Sequence, residues 1–323
     1  MNLTVSASPH IRGKDTTRRL MLDVVIALLP ALIAGVLVHG IRAAAVAAVC
    51  VCAALLGEWL FRLAARQHCT IPDGSAAVTG LLLAMTLPAS APYWLAALGG
   101  LFAAIVVKGL CGGLGQNAFN PALGARAFLM LLFPVYLTRF PALGAQLPLF
   151  GLDAADVVTG ATPLHHMQMP ALPDVSLADA FLGRMGGCIG ETSALALLIG
   201  GAYLVLRKVI SIRIPAAYLG AVAVLTLVFA KGDAPLAWML YSLLSGGVLL
   251  GAIFMATDYA TSPVGPAAQL VYGAGCGVLT VLLRYFGLFP EGVTYAILVM
   301  NAAAWLLDRY IVPRRFGTGK EAA

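Results

Sequence analysis

Apolar runs long enough to enter a bilayer recur along the chain from Leu20 to Val312, separated by short polar breaks. A chain with this pattern must satisfy its backbone polar groups internally, which leaves helices or a closed barrel. A barrel needs alternating ten-residue strands, and these runs are continuous. Only 11% of the 323 residues are charged and 61% are apolar, against about 25% charged in a soluble domain. Those values exclude a disordered chain, a secreted disulfide scaffold and an ordinary cytosolic enzyme. The expected fold is an all-α polytopic membrane protein.

Ten apolar segments can be drawn, at 20–38, 41–63, 75–88, 93–110, 119–137, 190–206, 214–230, 237–256, 266–286 and 292–312. The third has only fourteen residues, about 21 Å of helix, too short to cross without irregular chain. Such backbone is tolerated where it is buried or lines a cavity. The first run, at about nineteen residues, exceeds a signal-peptide core and is expected to remain as a first helix. With residues 1–19 in the cytoplasm, fourteen of the twenty basic residues fall in cytoplasmic segments. Arg42, Arg139, Arg184, Lys231 and Arg284 fall outside, and Arg126 lies within a span. This bias puts both termini in the cytoplasm and the loop 138–189 on the outer side. The expected organisation is therefore a cytoplasmic segment 1–19, a five-span half 20–137, the outer loop 138–189, a second half 190–312 and a cytoplasmic tail 313–323.

The halves look related. Thr79-Gly80-Leu81-Leu82-Leu83-Ala84-Met85-Thr86, then Ser90-Ala91-Pro92, parallels the stretch from Gly247 through Met255-Ala256-Thr257, then Thr261-Ser262-Pro263. Each is followed by an apolar helix ending in a base, Lys108 or Arg284. Five spans per half force opposite orientations, hence two five-helix inverted repeats with a site expected between broken helices.

The net charge of +6 reflects topology, and no basic stripe with interleaved aromatics suggests nucleic acid. Six cysteines form no CxxC. Cys50 and Cys52 point to different helix faces, so zinc and Fe–S motifs are absent. Packing is the expected role of most of the six, and Cys111 sits in a glycine-rich turn.

The outer loop contains Asp156-Val157-Val158-Thr159-Gly160-Ala161-Thr162-Pro163. Gly160 and Ala161 give the Thr162 hydroxyl little cover, and Pro163 favours an extended, accessible Thr162. On these residues alone, turn chemistry accounts for the stretch equally well. The pattern Asp-x-x-[Ser/Thr]-Gly-Ala-Thr, however, resembles the flavinylation motif of membrane flavoproteins in Rnf and sodium-pumping NADH:quinone oxidoreductase complexes. Nearly the whole chain is similar to the RnfD family of Rnf electron-transport complexes. The stretches that carry the similarity are Ser8-Pro9-His10-Ile11-Arg12, Arg19-Leu20-Met21-Leu22-Asp23, Asp73-Gly74-Ser75-Ala76-Ala77-Val78-Thr79-Gly80, Asn117-Ala118-Phe119-Asn120-Pro121-Ala122 and Phe254-Met255-Ala256-Thr257-Asp258. The chain departs at Thr159, where the family often has Ser, and at Tyr259, where it commonly has Pro.

The resemblance implies FMN joined through its phosphate to Thr162 by a flavin transferase, with Asp156, Thr159, Gly160 and Ala161 completing the motif. It also implies a second, non-covalent riboflavin in the membrane part. The implied partners are the other membrane and periplasmic-flavin subunits of an Rnf complex in a bacterial inner membrane, with the 138–189 loop periplasmic. The implied activity is electron transfer between ferredoxin and NAD, coupled to Na+ or H+ movement, with no complete active site in this chain. Two other readings start from the fold. The five-plus-five repeat is similar to urea-transporter architecture, which suggests a small-solute channel, and a non-redox anchor needs no modified threonine.

Charged groups inside spans are functional candidates. Arg126 can face an anion or a structural carboxylate, and Asp258 can bind a cation or position a flavin ring. Asn117 and Asn120, with Gly112, Gly113 and Gly115, can form either a ring-contact surface or a tight helix crossing. Asp23, Glu58 and Asp308 are expected to snorkel into the interface, Glu191 to complement a helix N-terminus, and His165 and His166 to be solvated.

Overall fold

Helix boundaries in this chain follow side-chain caps and prolines. The computed structural model describes residues 16–141, 147–150, 172–173, 175–231, 234–287 and 292–312. Among them every regular element is helical. The Thr16 hydroxyl accepts the Arg19 N–H at 3.3 Å and opens α1, Thr17–His39. Gly40, at φ 80°, joins it to α2, Ile41–Ala64. A short turn leads to α3, Ser75–Met85, then α4, Tyr93–Phe102, which runs on as a π-helical stretch Ala103–Gly109. Next come α5, Pro121–Leu132, and α6, Pro134–Leu137. After the outer-loop region come α7, Leu177–Leu182, α8, Ala194–Leu206, and α9, Arg213–Val228. Then follow α10, Pro235–Leu244, and α11, Val248–Leu250, extended by a π-helical stretch Gly251–Met255. The last two are α12, Pro266–Phe286, and α13, Val293–Tyr310.

Each of the ten apolar segments contains helix, but several are interrupted. Helices α1, α2 and α12 are long and apolar enough to cross a membrane, and α10 with α11 forms a pair bent by 60°. That bend occurs at Ser245–Gly247, where Gly246 and Gly247 take φ of 71° and 67°. The 119–137 segment breaks at Phe133 because Pro134 brings no N–H to continue α5. Large apolar side chains such as Leu37, Leu206 and Phe286 point outward, each more than four-fifths exposed, as a lipid-facing surface requires.

Packing depends on small residues. Helix α2 packs on α3 and α4, and α9 packs on α12. A Cβ at Gly80 of α3 would lie 2.7 Å from the Val51 Cα, and one at Gly277 of α12 would lie 2.7 Å from the Tyr218 carbonyl oxygen. Both are backbone approaches that cannot yield.

Buried charge is paired. Asp23 and Glu58 are not snorkelling: both are buried. Asp23 accepts from Tyr203 Oη at 2.8 Å and Arg207 Nη2 at 3.2 Å. Glu58 pairs with Lys108. Asp308 instead accepts the Val264 and Gly265 N–H groups ahead of α12. Arg42, 3% exposed, donates to the carbonyls of Ala89, Ala91, Pro148 and Leu149. It thereby ties the turn after α3 to the start of the outer-loop region. Gly80→Leu is expected to destabilise the purified protein by roughly 1–3 kcal/mol, read as a lowered unfolding temperature in detergent. Leucine at the open position Gly220, where nothing lies within 4 Å of a Cβ, should leave that temperature unchanged.

Candidate functional site

The first turn of α3 and the end of the α11 π-helical stretch face one cavity. Its empty volume is about 690 Å³, mouth included, within the roughly 300–1,000 Å³ of small-molecule sites. Apolar walls come from Val24, Val78, Leu82 and Phe254, and polar groups from Ser75, Thr79, Lys108, Asn117, Asn120, Thr257 and Asp258.

These polar groups differ in what they have left to offer. Asn120 is fully engaged. Its Oδ1 accepts the Ala122 and Leu123 N–H groups at 3.0 and 3.3 Å, capping α5, and its Nδ2 donates to the Met255 carbonyl at 3.2 Å. The Asn301 amide, oriented by its neighbours, accepts the Asn120 N–H at 3.1 Å and donates to Tyr272 Oη at 2.6 Å. The hydroxyls of Thr79 and Thr257 donate back to Ser75 and Ile253 carbonyls. Asn117, by contrast, is 5% exposed and its Oδ1 has no partner among the described residues. Burying an amide oxygen unpaired costs roughly 1–3 kcal/mol, which marks a place where a ligand donor belongs.

Lys108 is 2% exposed. Its Nζ donates to Glu58 Oε1 at 2.8 Å and Ser75 Oγ at 2.6 Å. Glu58 Oε1 also accepts the Thr70 hydroxyl at 2.5 Å, and Asp73 accepts from the Ser75 N–H and hydroxyl. The cavity floor is thus an ordered network of ions at the start of α3. Asp258 lies at the mouth side, where Thr261 Oγ1 donates to it at 3.3 Å. Burial pushes its carboxyl above the ordinary carboxylate value, against hydrogen bonds from Ala260 and Thr261 that favour the charged form.

A second, smaller cavity of about 270 Å³ lies further along α5 and is lined by Thr86, Arg126, Glu191, Gly247 and Met255 among others. Both Arg126 terminal nitrogens approach Cys188 Sγ at 3.7 Å. A Cβ at Gly247 would meet Glu191 Oε1 at 2.6 Å, so the Glu191 carboxylate sits at the start of α11 as well as accepting the Cys188 N–H.

Of the residues singled out in the sequence, Asn117, Asn120 and Asp258 meet in the larger cavity, and Arg126 lies in the smaller one. Gly112, Gly113 and Gly115 all take positive φ but do not line the larger cavity. Asp156, Thr159, Gly160, Ala161 and Thr162 lie outside the described residues, as do His165 and His166. The residues missed in the sequence are Lys108, Glu58 and Ser75. Opposite charges ending neighbouring apolar segments were the available signal. No cluster of three potential metal ligands occurs among the described residues. Cys50, Cys188 and Cys276 are buried, whereas Cys52, Cys69 and Cys111 are exposed.

Residues 4–317 match the NQR2, RnfD, RnfE family. Three curated relatives are each the D component of a membrane complex. The chain is 46% identical to that of the Na(+)-translocating ferredoxin:NAD(+) oxidoreductase complex of Acetobacterium woodii, covering 99% of this chain and 97% of that protein. It is 39% identical to that of the proton-translocating ferredoxin:NAD(+) oxidoreductase complex of Clostridium ljungdahlii, over 98% and 96% of the two chains. It is 38% identical to that of the ion-translocating oxidoreductase complex of Stutzerimonas stutzeri, over 94% and 93%.

A carboxyl whose proton affinity is raised by folding destabilises the folded state once ionised. Lowering the pH from Asp258's raised value toward the ordinary carboxylate value near 3.9 therefore adds stability. The unfolding temperature of the parent should gain relative to Asp258→Asn over that interval, and a constant difference between the two would contradict the assignment.

Proposed function

The chain belongs to the NQR2, RnfD, RnfE family, and from that premise we propose that it is a flavin-carrying membrane subunit of an Rnf-type complex. In this reading it passes electrons between the ferredoxin and NAD branches, coupled to ion movement. Homologous chains are subunits of ion-translocating oxidoreductase complexes, and this one is a subunit of such a complex. The names of two relatives specify sodium in one case and protons in the other, so the coupling ion is not fixed by what these chains share.

Two flavins are assigned. The first is FMN, held as a phosphoester by Thr162 within Asp156-Val157-Val158-Thr159-Gly160-Ala161-Thr162, attached by a flavin transferase on the periplasmic side of a bacterial inner membrane. A tether there prevents loss of a soluble cofactor. The second is a non-covalent riboflavin in the larger cavity. The observation that carries it is the buried, unpartnered Asn117 amide in a cavity with apolar walls. Such walls suit the faces of a planar ring, and a few fixed polar groups suit its edges. A bound flavin supplies one- and two-electron chemistry. The chain's own residues position it: Val78, Leu82 and Phe254 exclude water, Asn117 orients an edge, and Asn120 fixes α5 against Met255.

The ten apolar segments are assigned as ten crossings in two inverted five-helix halves, both termini cytoplasmic and 138–189 periplasmic. Two features support the repeat. Lys108 donates to Ser75 at the start of α3, and Arg284 donates to the Ser245 and Gly246 carbonyls just ahead of α11. Thr86 and Thr257 close the two short helices with hydroxyls that donate to Leu83 and Ile253 carbonyls, each at 2.6 Å.

In-gel fluorescence of the denatured subunit tests the covalent assignment. The parent should show a flavin band and Thr162→Val should not. A dark parent band from natively matured complex would sink it.

A further inference from the structure

We infer that Lys108 is the residue through which the larger cavity holds the pyrimidine edge of a bound flavin and sets its redox potential, an inference that rests on the flavin reading of that cavity. An ammonium carries three N–H donors. Lys108 spends two, on Glu58 Oε1 at 2.8 Å and Ser75 Oγ at 2.6 Å, and no other partner occurs among the described residues. The side chain lines the cavity and is cut off from bulk water at 2% exposure. A buried charged donor left unspent is costly, and the group positioned to take it is whatever fills the cavity.

The same cavity holds the complementary deficit: Asn117 Oδ1, an acceptor without a donor. One unmet donor and one unmet acceptor match an imide edge, which alternates carbonyl, N–H and carbonyl. Lys108 donates to a ring acceptor on that edge, and Asn117 accepts the ring N–H. Glu58 and Ser75 are positioning residues. Each fixes one ammonium proton, which leaves the third for the ligand.

The related base in the other half shows what a purely structural role looks like. Arg284 donates to the carbonyls of Ser242, Ser245 and Gly246 at 2.6, 2.8 and 3.2 Å. These are backbone acceptors at a helix break. Lys108 instead bonds two side chains and faces the larger cavity, whereas Arg284 does not line it.

The charge arrangement dictates a signature. Reduction places added negative charge on the pyrimidine edge of a flavin. The Lys108 ammonium stabilises that state and the Glu58 carboxylate opposes it, so removing one or the other moves the potential in opposite directions. The whole membrane complex should be purified with parent chain, Lys108→Met, Glu58→Gln, and the double variant. Non-covalent flavin is quantified after acid extraction, riboflavin rebinding is titrated, and the midpoint potential of the bound flavin is measured. Lys108→Met and the double variant should bind riboflavin about ten- to a hundredfold more weakly, the loss of one charged hydrogen bond, with covalent flavin at Thr162 unchanged. Glu58→Gln should keep riboflavin and raise its midpoint potential. The double variant guards against misfolding, because replacing both members of a buried pair avoids leaving an uncompensated charge. Parental riboflavin affinity in the double variant, or an unmoved potential in Glu58→Gln, overturns the role of Lys108 and leaves the flavin reading intact. A parent complex with no non-covalent flavin and no riboflavin rebinding overturns both.

Discussion

Wherever a helix breaks inside an apolar interior, the freed backbone groups must find partners within the protein. Much of this structure follows from that constraint. The turn after α3 frees carbonyls at Ala89 and Ala91, and Arg42 is buried to satisfy them. The α10–α11 break frees the carbonyls of Ser242, Ser245 and Gly246, and Arg284 serves those. The start of α5 frees N–H groups that Asn120 accepts, and the same side chain then donates to Met255. Buried polar residues in this chain are largely the means by which short helices can exist at all.

That accounting also separates scaffold from site. Asn120 and Arg42 spend their hydrogen bonds on the fold. Asn117 does not, and Lys108 keeps one donor in hand. The two residues with something left over line the same cavity. Four residues of α5 after its Asn120 cap and Pro121 suffice to bring Arg126 beside the second cavity, a rise of about 7.5 Å from Pro121. One helix thus serves both spaces, with Met255 bonded to its cap and lining the smaller one.

The helices were legible because hydropathy decides them. All ten apolar segments contain helix, and the fourteen-residue segment after Gly74 proved as short as its length implied, with α3 ending at Met85. The breaks were less legible. Pro134 marks one plainly, but Ser245-Gly246-Gly247 reads as one more small-residue stretch until positive φ values reveal a 60° bend. Of the site, Asn117, Asn120 and Asp258 were visible as polar interruptions of apolar periodicity. Glu58 and Lys108 were not, because a charge at the end of an apolar run looks the same whether it snorkels to water or turns inward. Only the fifty-residue-distant partner distinguishes the two, and pairing at that separation has no local signature.

The choice of base at each buried position carries its own argument. A guanidinium presents five donors in a rigid planar fork, suited to several carbonyls at fixed places. Arg42 serves four carbonyls and Arg284 three, so both sit where the backbone itself is the ligand. An ammonium is a compact charge on a flexible stem, with fewer donors and a stronger local field. At Lys108 two donors are fixed by Glu58 and Ser75, which converts a mobile group into an aimed one. An arginine there would have more donors than the cavity floor has acceptors, and its bulk would enter the space the ligand needs. Where a chain caps broken helices with arginine yet retains lysine against a carboxylate beside an open cavity, the lysine is the base whose work lies outside the backbone.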